Sequence, residues 1–143
     1  MIKAVVDMSV FIAGLLTKNK ASSSAQVLSL WKAGKFTLVI SPQILDELVA
    51  KLIDKGFPEA DIKALVRTKW EIGLRIPGSY EVAKLNKIDP DDNKYLAAAL
   101  ESNADYLVTL DKKHLLPLKH YHSTQIIVPA LLVRALLDGS GAN

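Results

Sequence analysis

Short apolar runs, each ending at a polar residue and each leading into a helical pattern, constrain this chain more than anything else in it. Ile2-Lys3-Ala4-Val5-Val6 stops at Asp7. Phe36 to Ile40 (FTLVI) stops at Ser41. Ala104 to Thr109 (ADYLVT) leads to Asp111, and Ser123 to Val128 stops at Pro129. Runs this short and this apolar read as strands buried on both sides. Between them lie segments of helical period: Val10–Leu16, Gln26–Ala33 with Val27, Leu30 and Trp31, and Gln43–Lys55 after a Ser41-Pro42 cap. Further helices are expected over Pro58–Gly73, with Ile62, Leu65, Val66 and Lys69 in phase, from Asp89 to Ser102, and over Pro129–Leu137. A further short strand is expected at Ser79–Ala83 (SYEVA). Strands that alternate with helices imply an α/β fold: a three-layer α/β/α sandwich with a short, mainly parallel central sheet. Ligands of such sheets bind outside the carboxyl ends of the strands.

Length and composition narrow the classes. A chain of 143 residues, 50% hydrophobic and 23% charged, has material for one real core and is not disordered. We expect one domain over residues 1–138 and a flexible tail at 139–143. Absence of cysteine removes disulfides, thiolate metal sites and cysteine nucleophiles. The net charge of +3 suits nucleic acid without arguing for it. Ala4–Leu16 has the outline of a signal segment, but Asp7 interrupts it, and the longest later apolar run holds Pro129. The expectation is a soluble cytoplasmic protein with no membrane span.

The acids concentrate the chemistry. Asp7 follows the first strand and Asp111 the strand ADYLVT, so both belong to the carboxyl edge of one sheet. On a helical wheel Asp92 falls in the middle of the apolar face made by Tyr95, Leu96, Ala99 and Leu100. A carboxylate there is costly unless it is paired or bound to metal. Phase alone does not choose Glu47 over Asp46. Converging carboxylates repel unless protons or cations neutralise them, and oxygen ligands suit Mg²⁺ or Mn²⁺. The plainer reading stands beside this one: Asp7 as a helix cap, Asp89 and Asp91 as cap and first-turn acids, Asp111 as a turn.

The order and spacing of these blocks resemble the PIN domain, the fold of VapC-type toxin ribonucleases. Its strand and D-[TS]-[NS]-hydrophobic element is matched by Val5-Val6-Asp7-Met8-Ser9-Val10. Its helical glutamate is matched in Ser41-Pro42-Gln43-Ile44-Leu45-Asp46-Glu47-Leu48, which favours Glu47. Asp89-Pro90-Asp91-Asp92-Asn93 matches D-P-x-D-N, and Ala104-Asp105-Tyr106-Leu107-Val108-Thr109-Leu110-Asp111 matches A-D-x-L-V-T-x-D. The resemblance implies a catalytic and metal-binding quartet, Asp7, Glu47, Asp92 and Asp111, hydrolysing RNA with Mg²⁺ or Mn²⁺. Ser9 and Thr109 would be the hydroxyls that orient the acids. The chain departs from the pattern at Met8 and Ser9. A cognate antitoxin protein and a homodimer are also implied, the latter with apolar helix faces around Trp31 and Trp70.

Other signals are weaker. His120-x-His122 lacks a third ligand and reads as surface. Lys18 and Lys20 are candidates for phosphate contact. Two rival functions are a catalytically inactive PIN-like module that binds RNA or protein, and a receiver-like phosphoacceptor domain. The latter needs a lysine after its last strand, where Ile127-Val128-Pro129 offers none.

Overall fold

The computed structural model describes residues 1–86 and 89–142. In chain order its elements are β1 (Lys3–Val6), α1 (Met8–Leu16), α2 (Ser23–Lys32), β2 (Thr37–Ile40), α3 (Pro42–Asp54), α4 (Glu59–Ile72), β3 (Leu74–Arg75), α5 (Asn93–Ser102), β4 (Tyr106–Val108), β5 (His120–Tyr121), β6 (Thr124–Ile127) and α6 (Pro129–Ala142). The strands form one sheet in the order β3-β2-β1-β4-β6-β5. Every pairing is parallel except β5 with β6.

Successive side chains of each strand feed two different cores, as the period of two requires. Ala4, Val6, Leu38, Ile40 and Val108 join one core with Phe11, Val27, Trp31 and Leu132. Val5, Val39, Leu107 and Ile126 join the other with Tyr95, Leu96, Ala98 and Ala99. The first core lies under α1, α2 and α6, the second under α5, and α3 contributes to both. This is the three-layer α/β/α arrangement expected from the sequence.

Helix ends follow local chemistry. Ser41 Oγ accepts from Ile44 N–H at 3.2 Å, with Pro42 at the first helical position. Gly56 closes α3 at φ +79°, a conformation that glycine adopts without steric cost. Ser22 Oγ accepts from Ala25 N–H and starts α2 three residues earlier than periodicity suggests.

Three expectations need correction. Residues 79–83 form no strand; the outer strand is Leu74–Arg75, which occupies the free edge of β2. The last helix does not end at Leu137 but runs to Ala142, so the expected tail begins inside it, and residue 143 lies outside the described residues. Val27 and Trp31 are buried in the core and are not available to a partner. Lys69, in phase with Ile62 on α4, is buried with them. It is only 2% exposed, and its Nζ sits 3.6 Å from the centre of the Phe11 ring.

Candidate active site

Two neighbouring parallel strands bring the first pair of acids together. β1 pairs with β4 in register Val6–Val108, so Asp7 and Thr109 emerge side by side at the carboxyl edge. Asp7 N–H donates to Val108 O at 2.8 Å. Its Oδ1 accepts from Ser9 N–H at 3.1 Å and caps α1, while Oδ2 accepts from Thr109 Oγ1 at 2.6 Å. Asp7 is therefore a helix cap and a member of the acidic cluster at once. The Thr109 hydroxyl also accepts from Asp111 N–H at 3.0 Å. One fully buried hydroxyl thus ties both acids to the strand ends. Ser9 Oγ accepts from Leu110 N–H at 3.4 Å and holds the same turn.

Asp111 begins a tight turn in which its Oδ1 accepts from the N–H groups of Lys113 and His114. That turn folds the His114 ring back onto the acids. His114 Nδ1 lies 3.4 Å from Asp89, 3.5 Å from Asp111 and 4.0 Å from Asp92. Sequence reasoning missed His114 altogether and read Asp89 only as a cap. Asp89 does cap, since its Oδ1 accepts from Asp91 N–H, but its Oδ2 faces the histidine. Asp92 takes the position before α5, yet its side chain makes no capping hydrogen bond there.

Electrostatics separates the two central carboxyls. Burial pushes the Asp92 carboxyl up to about 8, helped by its hydrogen bond to Asp111 and by the charges of Asp89, Asp7 and Asp111. Burial works in the same direction on Asp111, but is outweighed. The N–H groups of His114 and Lys113, the hydrogen bond from Asp92 and the His114 charge hold Asp111 below its ordinary range. The two carboxyls are thus pushed in opposite directions, which limits the repulsion within the cluster.

Glu47 reaches the same place from α3, where it pairs with Lys94 of α5. Asp46, which helical phase could not separate from it, is exposed. Asp7, Ser9, Glu47, Asp89, Asp92, Asp111 and His114 all line one cavity of about 550 Å³. Lys51 also lines it, whereas Lys18 and Lys20 do not. His120 and His122 are exposed elsewhere.

A family model described as a PIN domain matches residues 3–113. The chain belongs to the PIN-domain family. The matched stretch contains Asp7, Glu47, Asp92 and Asp111, and His114 lies one residue beyond it. This PIN domain is similar in fold to a chain in the crystal structure of VapBC2 from Rickettsia felis bound to a DNA fragment from their promoter. The TM-score is 0.61 at 16% identity, covering 89% of this chain and 98% of that one. No curated protein sequence matches this chain.

The residues present fit a divalent cation. Asp89, Asp92 and His114 each offer a ligand atom, and these atoms lie within 4.8 Å of one another. The set is dominated by carboxylate oxygen, which suits Mg²⁺ or Mn²⁺. The crowding of acids that pushes the Asp92 carboxyl up is negative charge that a bound cation would offset. Among the described residues no helix is long and apolar enough to cross a membrane.

Proposed function

We propose that this PIN domain is an endoribonuclease that requires Mg²⁺ or Mn²⁺ and hydrolyses RNA phosphodiester bonds through Asp7, Glu47, Asp92 and Asp111. What supports this most is the gathering of these acids in one cavity, where burial and its acidic neighbours push the Asp92 carboxyl up to about 8. A divalent ion held there supplies positive charge to the phosphate oxygens and lowers the pKa of water. Asp7 is held for this role by Thr109 and Ser9 N–H, and Asp111 by the turn that follows it. Glu47 becomes available when Lys94 turns to the phosphate instead. Lys51, on the same wall as Glu47, supplies a second cation for the RNA backbone.

The same reading makes the chain the toxin half of a toxin–antitoxin pair, acting on cytoplasmic RNA and held by a cognate antitoxin protein. The likeness in fold to a VapBC2 chain supports it. We also place the homodimer contact on the α3–α4 face. There Val49, Ile62, Val66 and Trp70 line an apolar recess, and Trp70 is 50% exposed. Labelled RNA incubated with Mn²⁺ should be cut, and not in EDTA or by Asp92→Asn. A well-folded protein that leaves RNA intact in Mn²⁺ would remove the nuclease reading. Light scattering should give twice the chain mass for the homodimer.

A further inference from the structure

A second cavity, of about 570 Å³, has lining residues of its own, but α3 and segment 89–98 border both it and the acidic one. α3 supplies Glu47 to the acidic cavity and Gln43, one helical turn earlier, to this one. α5 repeats the division, with Asp92 just before it facing the acids, while Asn93, Lys94 and Ala97 line the second cavity. Lys94, paired with Glu47, stands at the boundary. Residues one turn apart on a helix are separated by roughly 6 Å, so the two cavities are within reach of adjoining units of one strand.

The outer wall is segment 76–83, and it is held in place. Ile76 N–H donates to Ile40 O, Gln43 Nε2 donates to Gly78 O at 2.8 Å, and Ser79 N–H donates to Glu101 at 3.0 Å. Gly78 sits at φ +72°, and a Cβ there would collide with the Gln43 amide, so the wall closes on Gln43 only with glycine at 78. This fixed wall presents Tyr80, half exposed, to the cavity. Gln43 Oε1 has no donor among the described residues. The Asn86 amide accepts from Asn93 Nδ2 at 2.7 Å and keeps its own N–H₂ free among them. The cavity therefore holds an aromatic face, an acceptor, a donor and, at its edge, a lysine.

We infer that this cavity seats the base of the nucleotide adjoining the RNA bond to be cut, stacked on Tyr80 and read at its edge by Gln43 and Asn86. The inference rests on the ribonuclease reading above. Unpaired RNA bases are recognised by stacking on aromatic rings and by hydrogen bonds to their edges. Lys94 then meets the phosphate between the two cavities.

Short ribonucleotides carrying 2-aminopurine at one position test this with the Asp92→Asn protein in Mn²⁺. Binding should quench the fluorescence of the seated base. Tyr80→Ala added to Asp92→Asn should abolish the quench and weaken binding roughly 5- to 150-fold, the range for loss of one stacked base. Tyr80→Phe should keep both. Asn86→Ala should change which base is preferred at that position. RNA that binds without quenching, or binds equally well after Tyr80→Ala, overturns the inference. Cleavage by the unsubstituted protein, measured in parallel, separates the two readings. Cleavage without quenching overturns this inference alone, whereas neither binding nor cleavage overturns the ribonuclease reading and this one with it.

Discussion

Replacing Asp92 by asparagine keeps the side chain's size and removes its titration. In the folded apo-protein the Asp92 carboxyl sits near pH 8, against an ordinary value of 3.8. The native state therefore holds the proton more tightly than the unfolded state does. The stability this contributes is fully present below pH 4 and is lost as pH rises through 8. Asparagine loses nothing over that window. Asp92→Asn should thus melt like the parent at pH 4 and progressively higher above it, with the gap complete past pH 8. Water reaches the cavity, and screening leaves only part of the shift as stability, about 1–2 kcal/mol. For a chain of this length that is about 3–7 °C in Tm. Differential scanning calorimetry in EDTA at several pH values measures it, with RNA cleavage in Mn²⁺ assayed on the same samples. Cleavage should fall by orders of magnitude while the apo-protein gains stability. If Asp92 only capped α5, asparagine would cap equally well and neither quantity would move. A Tm gap of the same size at pH 4.5 and pH 8.5 would refute the electrostatic argument.

Three further outcomes follow from the same geometry. Because Asp92 must give up its proton to take a cation, Mn²⁺ affinity should rise about tenfold per pH unit up to pH 8 and then level, as read from free Mn²⁺ by electron paramagnetic resonance. Thr109→Val strips Asp7 Oδ2 of its donor and Asp111 N–H of its acceptor in a fully buried place. It should cost about 1–3 kcal/mol in a urea titration and lower cleavage 10- to 100-fold, given as an order of magnitude. Lys69→Met should stabilise the fold. Burial lowers the Lys69 amine to about 7, so its contribution is lost as pH falls from its ordinary 10.5 through 7. The urea-midpoint gap should open over that window and reach about 2–4 kcal/mol below it, after loss of the contact with Phe11.

The sheet was legible because a strand with a core on each side is apolar at successive positions, as Val5 and Val6 show by entering different cores. Helical phase placed Lys69 on the buried face of α4 although lysine is a poor core residue, and the structure follows the phase. Segment 79–83 misled because local composition cannot show whether a partner edge is free, and β3 has taken that of β2. The two-residue β3 is too short to carry a period at all. At the site, Asp7 and Asp111 could be placed from strand ends, but Glu47 and Asp46 could not be separated, because both flank the apolar arc of α3. His114 left one faint signal, an aspartate three residues before it that can accept from its N–H. Nothing in the local sequence says that the resulting turn faces Asp89, which comes from a segment before α5.

Asp7 comes directly after Val6, with no spacer between strand and acid. A residue inserted or deleted between Ala4 and Asp7 would swing the carboxylate to the opposite side of the sheet, and the same holds between Leu107 and Thr109. Point changes can be explored one at a time in these stretches, but changes of length cannot. The exposed turn at 18–20, which no strand phase governs, has the opposite character. Homologous chains should vary in length there and hold it constant at the strand ends. A peptide tag spliced at 18–20 is then the modification that leaves the acids where they are.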